Sequence, residues 1–192
     1  GTSEGNYNIQ VVNGTLTITN SDTPLSFAEG SPEGYTGVYD GAAHDALTAL
    51  TVNGIEGETF VYGRDEMKVE YKVGDDWTEE MPQVTNVSDS KDIEIRVTVE
   101  NYEPIEGSIN ATVTKKDVTL TSDTDSKKYD GSPLKAESVT AEGFVEGEGA
   151  TYSNFASITN VGSKNNTFEY TMNEGTSEGN YNIQVVNGTL TI

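Results

Sequence analysis

Residues 91–114 read KDIEIRVTVENYEPIEGSINATVT, and this stretch decides the fold class. Apolar residues occupy every second position in two runs, first Ile93, Ile95, Val97 and Val99, then Ile109, Ala111 and Val113. A period of two places one side of a strand against the core and the other side in water. Shorter runs of the same kind begin at Val69, Val118 and Phe168. No stretch of roughly ten residues has a helical period, so the sequence predicts an all-β chain.

Composition and charge limit the function. The chain has 192 residues, of which 32 are acidic and 11 basic, and its formal net charge is -21. That charge repels nucleic-acid phosphates and anionic lipid headgroups, so we expect neither nucleic acid nor a membrane as a partner. The absence of cysteine rules out disulfides, thiolate metal ligands and cysteine nucleophiles.

The chain repeats its first eighteen residues at its end. Residues 1–18 and residues 175–192 both read GTSEGNYNIQVVNGTLTI, at an offset of 174. This period is too long for a solenoid repeat and fits tandem copies of a longer unit. We therefore interpret residues 1–18 as the C-terminal hairpin left over from a preceding repeat. Its apolar face would be Ile9, Val11, Leu16 and Ile18. We expect this segment to be disordered, to dock on residues 19–114 or to pair with another molecule.

A weaker repeat divides the rest of the chain into two halves. Three motifs recur in the same order, Tyr39-Asp40-Gly41 as Tyr129-Asp130-Gly131, Asn86-Val87 as Asn160-Val161, and Asn101-Tyr102 as Asn180-Tyr181. This order predicts two related domains of one topology, residues 19–115 and residues 116–192. The first has a longer middle, which we assign to a hairpin around Gly74 and Trp77.

Two turns make the fold prediction more specific. Asn187-Gly188 is typical of a type I′ turn, which needs positive φ at both positions. It predicts a hairpin from Tyr181 to Ile192 whose buried residues are Ile183, Val185, Leu190 and Ile192. A second hairpin is predicted around Gly74-Asp75-Asp76. Roughly six or seven short strands per half favour two tandem small antiparallel Ig-like β-sandwich domains. β-grasp-like sheets are the alternative, and they would need a helix that the sequence does not indicate.

Several segments resemble one protein family. They are the two Tyr-Asp-Gly tripeptides, VEYKVGDDWTEEMPQVTNV (residues 69–87), VTVENYEPIEGSINATVT (residues 97–114) and NEGTSEGNYNIQVVNGTLTI (residues 173–192). Together they resemble the MBG and YDG-type repeat domains of bacterial surface proteins, over about residues 19–192. The resemblance implies tandem arrays on cell-wall-anchored or secreted adhesins of Gram-positive bacteria, and hence an extracellular location at the cell surface. It brings no catalytic or ligand-binding residues with it.

The candidate sites each have a plainer structural interpretation. Tyr39 and Tyr129 could contact carbohydrate, but turn chemistry favours a structural role for both Tyr-Asp-Gly tripeptides. Trp77 could stack on a sugar or cap the end of a sandwich. Two acidic groups could bind Ca²⁺, although neither has EF-hand spacing; they are Asp75, Asp76, Glu79 and Glu80, and Asp123 with Asp125.

The sequence offers few residues that are suited to catalysis. His44 is the only histidine, so neither a zinc site nor a Ser-His-Asp triad is expected. A Lys–Asn isopeptide crosslink would need a buried lysine, asparagine and acid together, which the sequence cannot reveal.

These observations favour a non-catalytic repeat module, a stalk or spacer of a bacterial surface adhesin. We expect no enzyme activity, no cofactor and no metal. Residues 113–118 run from strand to strand without glycine or proline, which predicts a stiff connection. The expected partners are neighbouring repeats of the same protein, and the chain should be a monomer in solution. A mucin or host-glycan binding module is the alternative function, for which repetition would raise avidity.

Overall fold

A computed structural model describes residues 10–192, which form short β-strands joined by turns and loops. The strands are β1 (Ser26–Phe27), β2 (Glu33–Gly34), β3 (Thr36–Val38), β4 (His44–Asp45), β5 (Leu47–Ala49), β6 (Thr51–Asn53), β7 (Thr59–Val61), β8 (Lys68–Val73), β9 (Asp76–Thr78), β10 (Gln83–Val84), β11 (Lys91–Thr98), β12 (Ile105–Thr114), β13 (Lys116–Ser122), β14 (Asp125–Ser126), β15 (Val139–Glu142), β16 (Ala150–Ser153), β17 (Ser163–Asn166), β18 (Glu169–Met172), β19 (Tyr181–Val186) and β20 (Gly188–Thr191).

The helical content of the described range is three single turns of 3₁₀ helix, at Ile55–Gly57, Val87–Asp89 and Glu178–Asn180. The prediction of an all-β chain is confirmed. Within residues 10–192, no helix has the length and apolar character that crossing a bilayer requires.

The largest sheet lies in the first half and has the strand order β3-β12-β11-β8-β9. Its centre is the antiparallel pair β11 and β12, in which Ile93 lies opposite Ile109. Residues directly opposite each other share a face, so the two alternating runs of the sequence form one apolar surface. All seven aliphatic residues of those runs are buried, as the period of two predicts.

The second half contains three smaller sheets, with the orders β15-β13-β19, β14-β20-β17 and β16-β18. In the described range, no strand of the first half pairs with a strand of the second half. The sheets are not purely antiparallel as predicted, because β3 with β12, β13 with β19 and β14 with β20 pair in parallel. Alternation gives a strand's buried face but not its partner or direction, so these parallel pairs had no signal in the sequence.

The hairpin of β8 and β9 is confirmed. Val73 lies opposite Asp76, so the loop consists of Gly74 and Asp75. Gly74 has φ +65°, the left-handed conformation that glycine adopts without steric cost.

The prediction of a hairpin from Tyr181 to Ile192 is wrong. β19 pairs with β13, whereas β20 pairs with β14 and β17, so the two strands belong to different sheets. Neither Asn187 nor Gly188 has positive φ. Gly188 is instead required by close packing, since a Cβ there would lie 2.3 Å from the carbonyl oxygen of Asp123.

The loss of that hairpin also changes which residues are buried. Leu190 is fully buried, and Ile183 and Ile192 are half-buried, but Val185 is exposed. Only one of the four residues predicted as the apolar face of a hairpin is therefore part of a closed core.

The two halves share the arrangement that precedes each Tyr-Asp-Gly turn. In the first half, Thr36 of β3 lies opposite Thr112 in a parallel pair, and Lys91 of β11 lies opposite Ala111. In the second half, Ser126 of β14 lies opposite Thr191 in a parallel pair, and Lys164 of β17 lies opposite Leu190. The last strand of each half is thus flanked in the same way. The halves differ elsewhere, because the five-stranded sheet has no single counterpart in the second half.

One apolar core extends across both halves. It contains the buried residues of the large sheet together with Val118, Leu120 and Tyr181 of the second half, and Tyr39 lies between the two groups. A smaller core in the second half is formed by Leu134, Ala156 and Leu190.

The N-terminal copy of the eighteen-residue repeat is described only in part, because Ile9 and the residues before it lie outside the described range. Residues 10–18 form no strand, and Val11, Leu16 and Ile18 are exposed. The described part of this segment therefore does not bury its apolar residues on residues 19–114.

Candidate functional site at the junction of the two halves

Both Tyr-Asp-Gly tripeptides form the same turn. The Asp40 carboxylate accepts a hydrogen bond of 2.9 Å from the backbone N–H of Ala42, and Asp130 accepts one of 2.9 Å from Ser132. The glycine that follows has φ +80° in the first turn and +77° in the second. An aspartate that binds the backbone two residues on, followed by a left-handed glycine, makes a tight and well-defined turn.

The two turn tyrosines have different environments. Tyr39 is 5% exposed, and its hydroxyl donates a hydrogen bond of 2.5 Å to Glu148 in the second half. Its ring meets the edge of Tyr181, with ring centroids 5.5 Å apart and planes at 87°. Tyr129, in contrast, is 61% exposed. The first turn is therefore a contact between the halves, whereas the second faces solvent.

The second half receives Tyr39 at a corner built around Tyr181. The Tyr181 hydroxyl donates to Glu148 Oε2 at 2.8 Å and accepts a bond of 3.2 Å from the backbone N–H of Val145. Tyr39 donates to the other carboxylate oxygen, Oε1. Glu148 therefore joins a tyrosine of each half.

The electrostatics of this corner keep both phenols protonated. Burial raises the pKa of Tyr181 to about 12, and the neighbouring Glu148 carboxylate adds to the rise because it would repel a phenolate. Burial likewise raises the pKa of Tyr39, again with a contribution from Glu148. Both hydroxyls are thus donors to a carboxylate at neutral pH, which gives a stronger hydrogen bond than a neutral pair.

The first half contains a second corner of the same design. Tyr102 donates to Glu58 Oε2, and its hydroxyl accepts a bond of 2.9 Å from the backbone N–H of Ile55. The hydrogen bond to Glu58 raises the pKa of Tyr102, as Glu148 does for Tyr181.

The chain segment of each corner makes the same short turn. The N–H of Glu58 bonds the carbonyl of Ile55 at 2.9 Å, and the N–H of Glu148 bonds that of Val145 at 3.0 Å. The glycine within the turn has φ +84° at Gly57 and +85° at position 147.

Sequence reasoning missed these corners, although a signal exists. Ile55-Glu56-Gly57-Glu58 and Val145-Glu146-Gly147-Glu148 each begin sixteen positions after the tyrosine of a Tyr-Asp-Gly turn. The equal spacing places the two segments at matching points of the internal repeat.

A second contact crosses the junction beside the tyrosines. The side chain of Asn180 accepts a bond of 3.0 Å from the backbone N–H of Val87 and donates one of 2.8 Å to Asn86. Asn180 is only 2% exposed. All three motifs of the internal repeat therefore meet at this junction. Its contributors are Tyr39, Asn86-Val87 and Asn180-Tyr181.

Comparison with known protein families gives a match in the second half. Residues 118–191 match the family model described as the MBG domain, YGX type. This segment is similar to MBG domains. The predicted resemblance is thereby confirmed for the second half, with most of β13, Glu148 and Tyr181 inside the matched range. No curated protein matches the chain.

The acidic candidates lie at the surface. Asp75, Asp76 and Glu80 are exposed around the β8–β9 hairpin, and Glu79 forms an ion pair of 3.2 Å with Lys68. Asp123 and Asp125 of the second half are exposed as well. Within residues 10–192, no group of three or more His, Asp or Glu side chains is arranged to hold a metal ion.

Trp77 lies in β9, the edge strand of the large sheet. The guanidinium of Arg96 is 4.1 Å from the centre of its ring, and Arg96 also pairs with Glu106 at 2.7 Å. A cation over an indole is a favourable contact. It covers one face of the ring that a stacked sugar would need.

His44 takes part in a local contact. Its Nε2 lies 3.0 Å from Asp40 of the first Tyr-Asp-Gly turn, and its ring stacks on Tyr35 at 4.2 Å. The histidine thus supports the turn that reaches the second half.

An isopeptide crosslink has no candidate lysine in the described range, because none of the lysines there is buried. The buried Asn166 of the second half instead donates to the backbone carbonyls of Asp123 and Ala136. It therefore serves as a bridge between loops.

Proposed function

We propose that this chain is a non-catalytic structural repeat, a stalk or spacer unit of a bacterial surface adhesin located outside the cell. The match of residues 118–191 to the MBG domain supports a repeat module of surface proteins. The exact copy of residues 175–192 at residues 1–18 supports tandem repetition. The observation that carries the proposal is the junction at Glu148, because it fixes the angle between successive halves.

The connection between the halves is short. β12 ends at Thr114 and β13 begins at Lys116, so a single residue separates a strand of one half from a strand of the other. A linker without glycine or proline in this position has little freedom to bend. The Tyr39–Glu148 bond and the Asn180 contacts add two further points of attachment, and three points define an orientation.

The surface suits a spacer that must stay extended among its own copies. At a net charge of -21, neighbouring chains repel each other, which favours solubility and opposes lateral association. The absence of cysteine leaves the fold independent of the redox state outside the cell.

The proposal is tested by the distance between two spin labels, one on each half. The chain has no cysteine, so Asp75→Cys on the β8–β9 loop and Lys135→Cys in the second half give two unique attachment points. We expect one narrow distance distribution in pulsed electron paramagnetic resonance. Adding Tyr39→Ala and Asn180→Ala should broaden it.

Tyr129→Ala is the matched control, because this exposed tyrosine occupies the same turn without a partner in the described range. It should leave the distribution unchanged. A broad distribution in the parent pair would mean that the junction is a hinge, and the spacer proposal would then be wrong.

Binding to mucin or another host glycan is the competing function, and the same protein can be applied to a glycan array at physiological salt. We expect no binding above that of an unrelated acidic protein. Saturable binding to a defined glycan would replace the spacer by a recognition module.

A further inference from the structure

We propose that the junction between the two halves recurs between successive units, with a second copy of residues 19–192 as the partner. In this joint the turn at Tyr129 and the Asn160-Val161 segment of one copy dock on the Tyr102 corner in the first half of the next copy. The inference deepens the proposed function, because it rests on the chain being a tandem repeat.

The docking side is preformed in the second half. Tyr39 comes three positions after Thr36, which pairs with the last strand of the first half. Tyr129 likewise comes three positions after Ser126, which pairs with the last strand of the second half. Both tyrosines also lead the same aspartate–glycine turn. Tyr129 is therefore held at the end of the second half as Tyr39 is held at the end of the first.

The exposed asparagine–valine pair matches as well. Asn160-Val161 lies shortly before Lys164, as Asn86-Val87 lies before Lys91, and these lysines hold the same place beside the last strand. Val87 is half-buried at the junction, whereas Val161 is 77% exposed. The counterpart of a covered aliphatic residue therefore faces solvent in the second half.

The Tyr102 corner, which would receive the docking turn, is already formed, and no other segment of the described range covers it. Glu58 binds Tyr102 through Oε2, and in the described range its Oε1 has no hydrogen-bond partner, whereas Oε1 of Glu148 binds Tyr39. Ile55 and Glu58 are exposed, although their counterparts in the second corner are half-buried.

An open cavity of about 760 Å³ lies beside this corner and is lined in part by Ile55, Glu58, Asn101 and Tyr102. Asn101 is exposed, whereas its counterpart Asn180 is buried at the existing junction. The cavity therefore lies where an incoming turn would be received.

The connecting chain has the same length at both joints. Val113 precedes the buried Leu120 by seven positions, with Thr114 and Asp117 between them. Ile18, the copy of Ile192, likewise precedes the buried Leu25 by seven positions. A threonine and an aspartate lie between them at the positions that match Thr114 and Asp117.

The start of the first half is also attached to the corner. The N–H of Ser21 bonds the carbonyl of Asn101 at 2.8 Å. A chain leaving one unit thus enters the next beside the Tyr102 corner, as the strand after Thr114 enters beside Tyr181.

The test uses a tandem protein in which residues 1–192 are followed directly by a second copy of residues 19–192. Spin labels at Lys135→Cys in the first copy and Asp75→Cys in the second span the new joint. We expect a single narrow distance, as narrow as the one measured between the halves of one copy.

The tandem contains its own matched control. Tyr129→Ala in the first copy should abolish the narrow distance, whereas Tyr129→Ala in the second copy should leave it unchanged, because no unit comes after it. Glu58→Gln should show the opposite dependence on position. It should affect the distance when it is made in the second copy and leave it unchanged when it is made in the first. Far-ultraviolet circular dichroism of each variant verifies that the strands are retained.

The outcomes separate this inference from the proposed function. A narrow distance within a copy and a broad one between copies would overturn the inference and leave the spacer proposal standing. The same holds if Tyr129→Ala has equal effects in both copies. A broad distance within each copy would instead overturn the spacer proposal itself.

Discussion

Glu148 accepts hydrogen bonds from two tyrosines, one through each carboxylate oxygen. A carboxylate has about four acceptor sites, so it can serve both hydroxyls without competition. Because one tyrosine comes from each half, the strength of this pair of bonds affects the junction more than it affects either half alone.

Tyr39→Phe removes the hydroxyl and keeps the ring against Tyr181. We expect the free energy of unfolding to fall by about 1.5–3 kcal/mol, the usual contribution of a hydrogen bond to a charged group. Urea unfolding followed by circular dichroism measures the change. Tyr129→Phe should change the free energy of unfolding by less than about 0.5 kcal/mol, because Tyr129 is exposed to solvent and its hydroxyl has no partner in the described range. Equal losses in the two variants would show that Glu148 adds no stability through Tyr39.

High pH should open the same junction. The folded-state pKa of Tyr181 is raised from 10.0 to about 12, so the folded protein favours the neutral phenol relative to the unfolded chain. Stability from this group is therefore fully present below about pH 10 and is lost as the pH rises towards 12. Absorbance at the phenolate band, recorded with circular dichroism, should show Tyr181 ionising together with loss of structure. A reversible phenolate titration to that pH with unchanged circular dichroism would contradict this expectation.

At the scale of single strands, the close approach at Gly188 brings β20 against the end of β13. Ser122 of β13 is buried, and its hydroxyl accepts a bond of 3.0 Å from the Gly188 N–H and donates one of 2.6 Å to the carbonyl of Asn166. One side chain therefore connects three strands that belong to two sheets.

Gly188→Ala should destabilise the protein through this contact. A Cβ at this position would lie 2.3 Å from the Asp123 carbonyl oxygen, so the backbone would have to shift, at a cost of about 1–3 kcal/mol. Gly179→Ala is the control, because its nearest neighbour, Ser177 Oγ, is 3.6 Å away. Thermal unfolding of the two variants should differ clearly. Similar melting temperatures would mean that the approach of the two strands is looser than described.

The strands themselves were largely predictable, whereas their partners were not. Alternation identified β11 and β12, and Gly74 identified the β8–β9 hairpin, because both are local properties of the chain. The signal at Asn187-Gly188 failed because a long-range contact with Asp123, absent from any local pattern, requires the glycine.

For a similar reason, the sequence predicted only part of the junction. The recurring Tyr-Asp-Gly tripeptide predicted the turn, but nothing in its sequence distinguishes the buried Tyr39 from the exposed Tyr129. That difference arises because the Tyr181 corner packs against the end of the first half, whereas no such corner packs against the end of the second half within residues 10–192. Glu148 likewise stands among many acidic residues, and only its position against Tyr181 sets it apart.

At the scale of the whole molecule, charge opposes compactness. The chain has 32 acidic and 11 basic side chains, and ion pairs such as Arg64–Asp65 and Lys135–Glu137 lie at the surface, where each contributes little. Repulsion among the remaining carboxylates is screened over about 8 Å at 0.15 M salt.

The melting temperature should therefore rise as NaCl increases from low to moderate concentration. Differential scanning calorimetry gives the slope. The double variant Glu29→Lys with Glu146→Lys, two exposed positions, lowers the net charge to about -17 and should give a shallower slope. A flat or falling curve for the parent would show that the acidic residues are not close enough to repel one another.

The turn at Tyr39 joins two different surfaces, the end of one half and the corner of the next. A contact between unlike surfaces cannot close on itself in a pair, and its repetition generates a ring if the rotation closes and an open assembly with screw symmetry if it does not. Each added half is then rotated and advanced relative to the one before it. In an open assembly, any residue on the outer face of one unit would reappear at regular heights and angles along the array, so its display would follow from the geometry of a single hydrogen-bonded corner.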